Sequence, residues 1–369
     1  MTKEIPKRIL KLIKFLQKRG YKAYLVGGCV RDLLLGLKPK DFDIVTDARP
    51  EELLKLFPRS RLIGRRFPIV HVYFTKKDYV EISTFRGPEE NEDSLENFGT
   101  PAEDAQRRDL TINALFYDPF KDEILDYVGG LEDLRKGIVR VIGEPEERYT
   151  KDPVRMLRVI RHSARTGFEI EEKTWEHLLK NVALIKKVPK ERLRDEILKD
   201  LSGFWLTKWF FLLKKSGLLY EIYPFYKNLI ENSAFSEKFF IKILKLIEKS
   251  QFNLEQRIVL FSYAFLPLIN RNYIPNLREE KPTFERKELV KLFWALFFTF
   301  RFQRKLFEIS MDMLRDLYKL LYFKLKMREI SKRFRKKPYF FALTPLLDSL
   351  LNVLKIKTLK SEGGVTDEP

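Results

Sequence analysis

The chain has 369 residues, 44% of them hydrophobic, with 71 Lys+Arg against 52 Asp+Glu and a formal net charge of +19. This length and apolar content allow two or more packed units. A single cysteine, Cys29, excludes an internal disulfide. There is no uninterrupted apolar run of about 18 residues to mark a membrane span, and the charged start, Met1-Thr2-Lys3-Glu4, lacks the apolar core of a signal peptide, so a cytoplasmic protein that does not engage the membrane is expected. The positive excess favours a polyanionic partner, nucleic acid or an anionic lipid surface, unless a lysine-rich surface reflects life at high temperature.

Ile5, Ile9, Leu12, Ile13 and Leu16 recur at helical spacing, which predicts a helix over residues 5–19 ended by Gly20. Residues 24–28 read as a strand, 30–35 as a helix, 41–46 as a strand and 50–56 as a short helix. Two strands, 69–74 and 79–85, flank the turn Thr75-Lys76-Lys77-Asp78. Residues 87–100 are acidic and polar and read as a loop, and 124–127 as a further strand ended by Gly129-Gly130. Beyond about residue 138 helical patterns dominate, to about 355, with breaks at Val188-Pro189, at Leu201-Ser202-Gly203 and over 270–282. Residues 361–369 read as disordered. The fold class is α+β: a small mixed sheet at the head of the chain, then an all-helical remainder.

Four clusters carry chemistry. Leu25-Val26-Gly27-Gly28-Cys29-Val30-Arg31-Asp32 leads an apolar run into two glycines, and Asp41-Phe42-Asp43 follows. Alternate strand residues share a face, so Asp41 and Asp43 would present paired carboxylates able to hold Mg²⁺ for displacement at phosphorus. The glycines let backbone approach a phosphate. In the second cluster, 103–115, Arg108 offers a planar fork to a triphosphate, and Asp109 and Asn113, one helical turn apart, can meet a ribose hydroxyl. In the third, Gly129-Gly130 turns the chain towards the helical part. In the fourth, Asp152 suits an N-cap and Pro153 a first helical turn. Arg155, Arg158 and Arg161 then follow three apart on one face, with Met156, Leu157 and Ile160 on the other. Taken singly, each cluster also reads as a solvated turn, a surface ion pair or an amphipathic helix.

Taken in order, the stretches LVGGCVRDLLLG-x4-DFDIVT, EISTFRG, EDAQRRDLTINAL, DYVGGLEDL and DPVRMLR make residues 24–168 resemble the class II tRNA nucleotidyltransferases, the family that includes bacterial poly(A) polymerases. Residues 188–196 resemble its weaker neck motif. The resemblance implies a nucleotidyltransferase head over 1–138, a helical neck for base recognition over 139–200, a helical body over 201–270, an RNA-binding helical tail over 271–355 and a disordered end over 356–369. It implies an RNA 3′-hydroxyl attacking the α-phosphate of CTP or ATP, with Asp41 and Asp43 holding Mg²⁺ and Glu81 as a candidate supporting acid. Gly28, Arg31 and Arg108 fall on triphosphate-contacting positions, and Asp109 and Asn113 beside the nucleotide. Asp152 and Arg155 match the base-reading pair: an acid accepts from the amine of cytosine or adenine and an arginine donates to the ring nitrogen, a pattern that uracil and guanine reverse. Arg158 and Arg161 map to further nucleotide contacts.

Residues 62–72 look typical of the poly(A) polymerase branch, as do 103–109 and Arg148-Tyr149. The segment between Arg86 and Glu103 is short, as in enzymes that add only CC. The reading taken is CC addition to the tRNA 3′ end, with a companion A-adding enzyme; poly(A) and full CCA synthesis are the alternatives. In the second half, Trp209, Phe210, Phe211 and 293–300 read as core. Arg301, Arg304, Lys305, Lys324, Lys326, Arg328, Lys332, Arg333, Arg335, Lys336 and Lys337 read as candidates for the tRNA acceptor arm.

Overall fold

The computed structural model describes residues 1–64, 68–76, 78–88, 97–230, 237–266, 286–297, 304–325 and 328–353. The chain divides into two compact units, Met1–Lys180 and a second beginning at Asn181. The first is built on a seven-stranded sheet in the order β3-β4-β5-β2-β1-β6-β7. Its strands are β1 (Ala23–Val26), β2 (Asp43–Thr46), β3 (Ser60–Ile63), β4 (Ile69–Tyr73), β5 (Tyr79–Thr84), β6 (Phe116–Asp118) and β7 (Glu123–Leu125). β2 and β5 run parallel; the other neighbours are antiparallel.

Side-chain alternation gives the sheet two different faces. One carries the buried row Leu25, Ile44, Ile82 and Val70. The helices α1 (Lys7–Gln17) and α3 (Pro50–Leu56) pack on the sheet's strands. α1 forms because Ile9, Leu12, Ile13 and Leu16 make one buried stripe. The other face is apolar at one end, where Val26, Val45, Phe85 and Phe116 pack with Ala105, Ala114 and Ile142. At its far end it carries the polar row Asp43, Glu81, His71 and Arg61, set directly opposite one another by register.

Between β1 and β2 lies α2 (Gly28–Leu34), and α4 (Pro101–Arg107) leads to a 3₁₀ turn at Thr111–Asn113. A capping box at Thr100 and Glu103 and a proline at the helix start fix α4. The chain continues through α5 (Gly130–Lys136), β8 (Ile138–Val139), α6 (Pro145–Lys151), α7 (Val154–Thr166), β9 (Glu169–Ile170) and α8 (Glu172–Asn181). β8 and β9 form a separate parallel pair. Short strands β3, β6, β8 and β9 have no counterpart in the sequence reading. Two to four residues with mixed polarity leave no period to read.

The second unit is helical in its described residues: α9 (Lys190–Leu201), α10 (Leu206–Ser216), α11 (Leu218–Ile222), α12 (Phe225–Ile230), α13 (Glu237–Lys249), α14 (Leu254–Tyr263), α15 (Arg286–Leu296), α16 (Arg304–Leu325), α17 (Lys332–Arg335) and α18 (Phe340–Val353). Trp209, Phe210, Phe240, Phe261 and Phe293 are fully enclosed, as expected of core, whereas Phe211 and Trp294 are half exposed. Buried Arg257 donates to the carbonyls of Leu201, Gly203 and Phe252, closing the α9–α10 junction. Of the basic candidates, Arg304, Lys305, Lys324, Arg328, Lys332, Arg333, Arg335 and Lys336 are exposed. Lys337 is not a solvated charge: it donates to buried Asp316, which also accepts from Tyr339 Oη at 2.8 Å. Arg301, Lys326, residues 298–300, 270–282 and the C-terminal end fall outside the described residues. Among the described residues no helix is long and apolar enough to cross a membrane.

The Gly129-Gly130 turn does more than redirect the chain. Asp126 accepts from the backbone N–H groups of Val128, Gly130 and Leu131, and a Cβ on Gly130 would lie 2.3 Å from the carbonyl oxygen of Thr111. α5 therefore presses against the 3₁₀ turn, and Thr111 Oγ1 donates to Asp133 at 2.7 Å. Gly130→Ala is expected to destabilise the protein by roughly 1–3 kcal/mol, read from the urea midpoint. An unchanged midpoint would show that the two segments are not locked.

Candidate active site

Asp43 opens β2 opposite Glu81 of β5 and Val26 of β1. Asp41 does not share the strand, contrary to the expectation from alternation. β1 ends at Val26, where Gly27 (φ +81°) turns the chain into α2, so residues 41 and 42 have no ladder partner on that side. Asp41 is exposed, yet its charge still reaches Asp43. Burial and then Glu81 push the Asp43 carboxyl up to about 6, with Asp41 adding to the rise and Arg108 opposing it. A Cβ on Gly27 would sit 3.6 Å from Arg108 Nη1 and 4.0 Å from Asp43 Oδ2. The glycine thus leaves the arginine and the acid on either side of a cleft. Cys29 fills space beneath it: its thiol is buried, donates to the Val26 carbonyl and is pushed up to about 12 by burial.

Arg108 is held at both ends. Its guanidinium donates through Nε and Nη2 to buried Asp104 at 3.0 and 2.8 Å and lies over the Phe116 ring. Its carbonyl accepts from Arg148 Nη2 at 2.6 Å and Arg155 Nη1 at 3.4 Å, and the same Arg148 nitrogen reaches the carbonyls of Gln106 and Arg107. Segment 106–109 is therefore the strap between the acid strand and α7. Asp109 Oδ2 meets Arg158 Nη1 at 3.3 Å. Burial pushes the Asp109 carboxyl up, but the guanidinium groups of Arg158 and Arg155 hold it well below the usual carboxylate range.

Asp109 and Asn113 do not lie one α-helical turn apart, because the chain between them runs into a 3₁₀ turn. Nor is Arg31 presented to solvent: it is wholly buried. It donates to Asp32 Oδ1 through Nε and Nη2 (3.0 and 2.7 Å), to Asn113 Oδ1 (2.6 Å) and to His162 Nδ1 (3.2 Å). Arginine can only donate, so His162 Nδ1 carries the lone pair; burial and Arg31 hold this histidine well below its usual value, and it is neutral. Asp32 Oδ2 accepts from Arg165 at 2.6 Å. Arg31 and Asn113 thus brace the floor under Gly27-Gly28, because they bond to each other and to Asp32, Asp109 and His162.

The working face of α7 also differs from the one expected. At 3.6 residues per turn, Arg155, Arg158, His162 and Arg165 fall within an arc of about 80°, whereas Arg161 lies about 120° from Arg155. Arg161 is buried. Asp152 is the C-cap of α6, Pro153 takes the N-cap position of α7, and no side chain caps that helix. Arg148 enters the sequence reading only as a mark of the poly(A) polymerase branch, and Asp32, Asp104, His162 and Arg165 have no role in it. For the last two the spacing from Arg155 and Arg158 was the available signal.

The donor set suits a hard cation: carboxylate oxygens of Asp43, Asp41 and Glu81 near one another, with repulsion that a cation would relieve. Among the described residues no group of three or more acidic, histidine or cysteine side chains is placed to hold a metal ion by itself. This matches a cation that takes one or two protein carboxylates and fills its remaining positions with phosphate oxygens and water.

The mixed sheet thus carries acids on one face, with Arg108 beside the glycine turn next to them. Residues 23–140 match the poly A polymerase head domain, and residues 167–230 match the probable RNA and SrmB-binding site of polymerase A. Poly(A) polymerase I of Escherichia coli O6:H1 is 44% identical over 237 residues, 60% of this chain and 51% of that protein. A CCA-adding enzyme of Geobacillus sp. (strain WCH70) is 37% identical over 221 residues, 58% and 54% of the two chains. The chain spans about half the length of the curated relatives it matches. Among solved structures, the Bacillus stearothermophilus CCA-adding enzyme in complex with CTP aligns with a TM-score of 0.61 at 25% identity, covering 95% of this chain and 83% of that one. A tRNA nucleotidyltransferase complexed with a primer tRNA and an incoming ATP analog aligns at 0.55 and 26% identity, covering 93% of each. Over these matched residues the chain is homologous to poly(A) polymerase I and to CCA-adding enzymes.

Removing Asp32 would leave Arg31 buried without its carboxylate. Asp32→Ala is expected to cost about 3–5 kcal/mol, measured by chemical denaturation. A loss below about 1 kcal/mol would show that the Arg31 brace is not structural.

Proposed function

We propose that this protein adds nucleotides to RNA 3′ ends without a nucleic-acid template, and that its substrate is tRNA, extended by CC from CTP in the cytoplasm. The observation that carries the reading is the strap at 106–109. It joins Asp43 and Arg108 to Arg155 and Arg158 of the helix that follows Asp152, so one incoming nucleotide can meet both the acids and the base-reading pair. Asp43 and Asp41, with Glu81 beside them, would hold a divalent cation, Mg²⁺ by their oxygen donors. Bound there, that cation would supply a lowered pKa for the attacking hydroxyl and charge relief at the leaving pyrophosphate.

The chain's own residues do the rest. Arg108 presents its guanidinium at the cleft beside Gly27, opposite the acids, where a triphosphate would lie, while Asp104 fixes its plane. Gly28 allows backbone approach. Asp152 accepts from the base amine and Arg155 donates to the ring nitrogen, which favours C and A. Asp109, kept ionised by Arg158, can accept from a ribose hydroxyl. Arg31, Asn113 and His162 hold the floor.

The short Arg86–Glu103 segment supports CC addition, which would leave the final A to a companion enzyme. The 44% identity to poly(A) polymerase I supports a second reading, poly(A) synthesis. The deciding assay incubates tRNA lacking CCA with CTP and ATP, separately and together. Termination after two C residues is expected; long A tails on unrelated RNA would overturn the tRNA reading. Asp43→Ala should lower transfer by about a thousandfold or more while tRNA binding survives. Asp152→Ala should admit UTP and GTP, and unchanged selectivity would remove its base-reading role.

The Asp43 carboxyl, pushed up to about 6, gains a proton as pH falls through that value, and the proton competes with the cation. At limiting Mg²⁺, transfer should fall about tenfold per pH unit below that point, and the inflection should move to lower pH as Mg²⁺ is raised. An inflection indifferent to Mg²⁺ would dissociate Asp43 from the cation.

A further inference from the structure

The polar row that begins at Asp43 continues across the sheet. Register sets Asp43 opposite Glu81, Glu81 opposite His71, and His71 opposite Arg61, so all four point to one face. His71 Nε2 lies 3.3 Å from Glu81 Oε1. Its ring is stacked on Tyr79, with centroids 4.1 Å apart and planes 12° apart, and Tyr73 meets the same tyrosine at 5.5 Å. Tyr79 is 44% exposed and Arg61 is exposed. At about 4.8 Å between strands, His71 lies about 10 Å from Asp43.

We propose that the Tyr79–His71 stack, with Arg61 beyond it, is the platform for the last few bases of the acceptor RNA, the strand whose 3′-hydroxyl is placed at Asp43. The occupant follows from continuity with the acids, which fix one end of the track. It follows too from chemistry: every base has a face to stack on, and a guanidinium suits the phosphate that comes next. The inference rests on the transferase reading and adds where the acceptor lies.

Two measurements test it on the full chain. In steady-state transfer, Tyr79→Ala should raise KM for the acceptor RNA about tenfold and leave KM for CTP unchanged, while Tyr79→Phe, which keeps the ring, should behave as the parent. An acceptor-RNA KM for Tyr79→Ala within twofold of the parent would overturn the proposal. Independently of turnover, an RNA carrying 2-aminopurine next to its 3′ nucleotide should lose fluorescence on binding the parent and Tyr79→Phe, and keep it on binding Tyr79→Ala. Equal quenching by all three proteins would also overturn it. A chain that quenches but transfers nothing would retain the platform and refute the transferase reading.

Discussion

A carboxylate withdrawn from water beside two others is the constraint on which the first unit depends. Asp43 would be easier to accommodate as an asparagine: burial, Glu81 and Asp41 all work against its charge, and Arg108 only partly offsets them. The sheet imposes this crowding, because the β2–β5 register brings Glu81 opposite Asp43 while β1 stops short and leaves the adjoining chain open. Local strain of this kind is worth retaining only where a ligand removes it, and under the proposed function a cation with its triphosphate would do so.

The surrounding architecture keeps that crowding from relaxing. Buried Arg31 is saturated by Asp32, Asn113 and His162, and Asp32 is also tied to Arg165, so the floor beneath the glycine turn cannot shift to admit a counter-charge. Arg108 is fixed by Asp104 on one side and by carbonyl contacts from Arg148 and Arg155 on the other. The positive groups near Asp43 are thus rigid and directed, a preorganised environment rather than a mobile atmosphere.

Much of this was legible in the sequence where local pattern suffices. The helix at 50–56 was readable to the residue because a proline begins it and a leucine stripe fills it. The acids, the glycine turn and the arginines of α7 were readable as motifs. Two kinds of information were not. Strand ends depend on where a neighbour stops, which is why alternation alone puts Asp41 on β2. The choice among equally spaced arginines depends on helical phase against a partner, which is why spacing alone groups Arg161 with Arg155 and Arg158 and gives no signal that His162 and Arg165 share their face. The bond between Asp32 and Arg165 joins residues 133 positions apart, and nothing near either one announces the other.

Asp41, Asp43, Arg108, Asp152 and Arg155 all fall within the first compact unit, ahead of Asn181. Under the proposed function, fidelity and chemistry would therefore belong to one inheritable module. Evolution could then rework the helical half after it, and so change which transcript is admitted, without reopening the question of which letter is written.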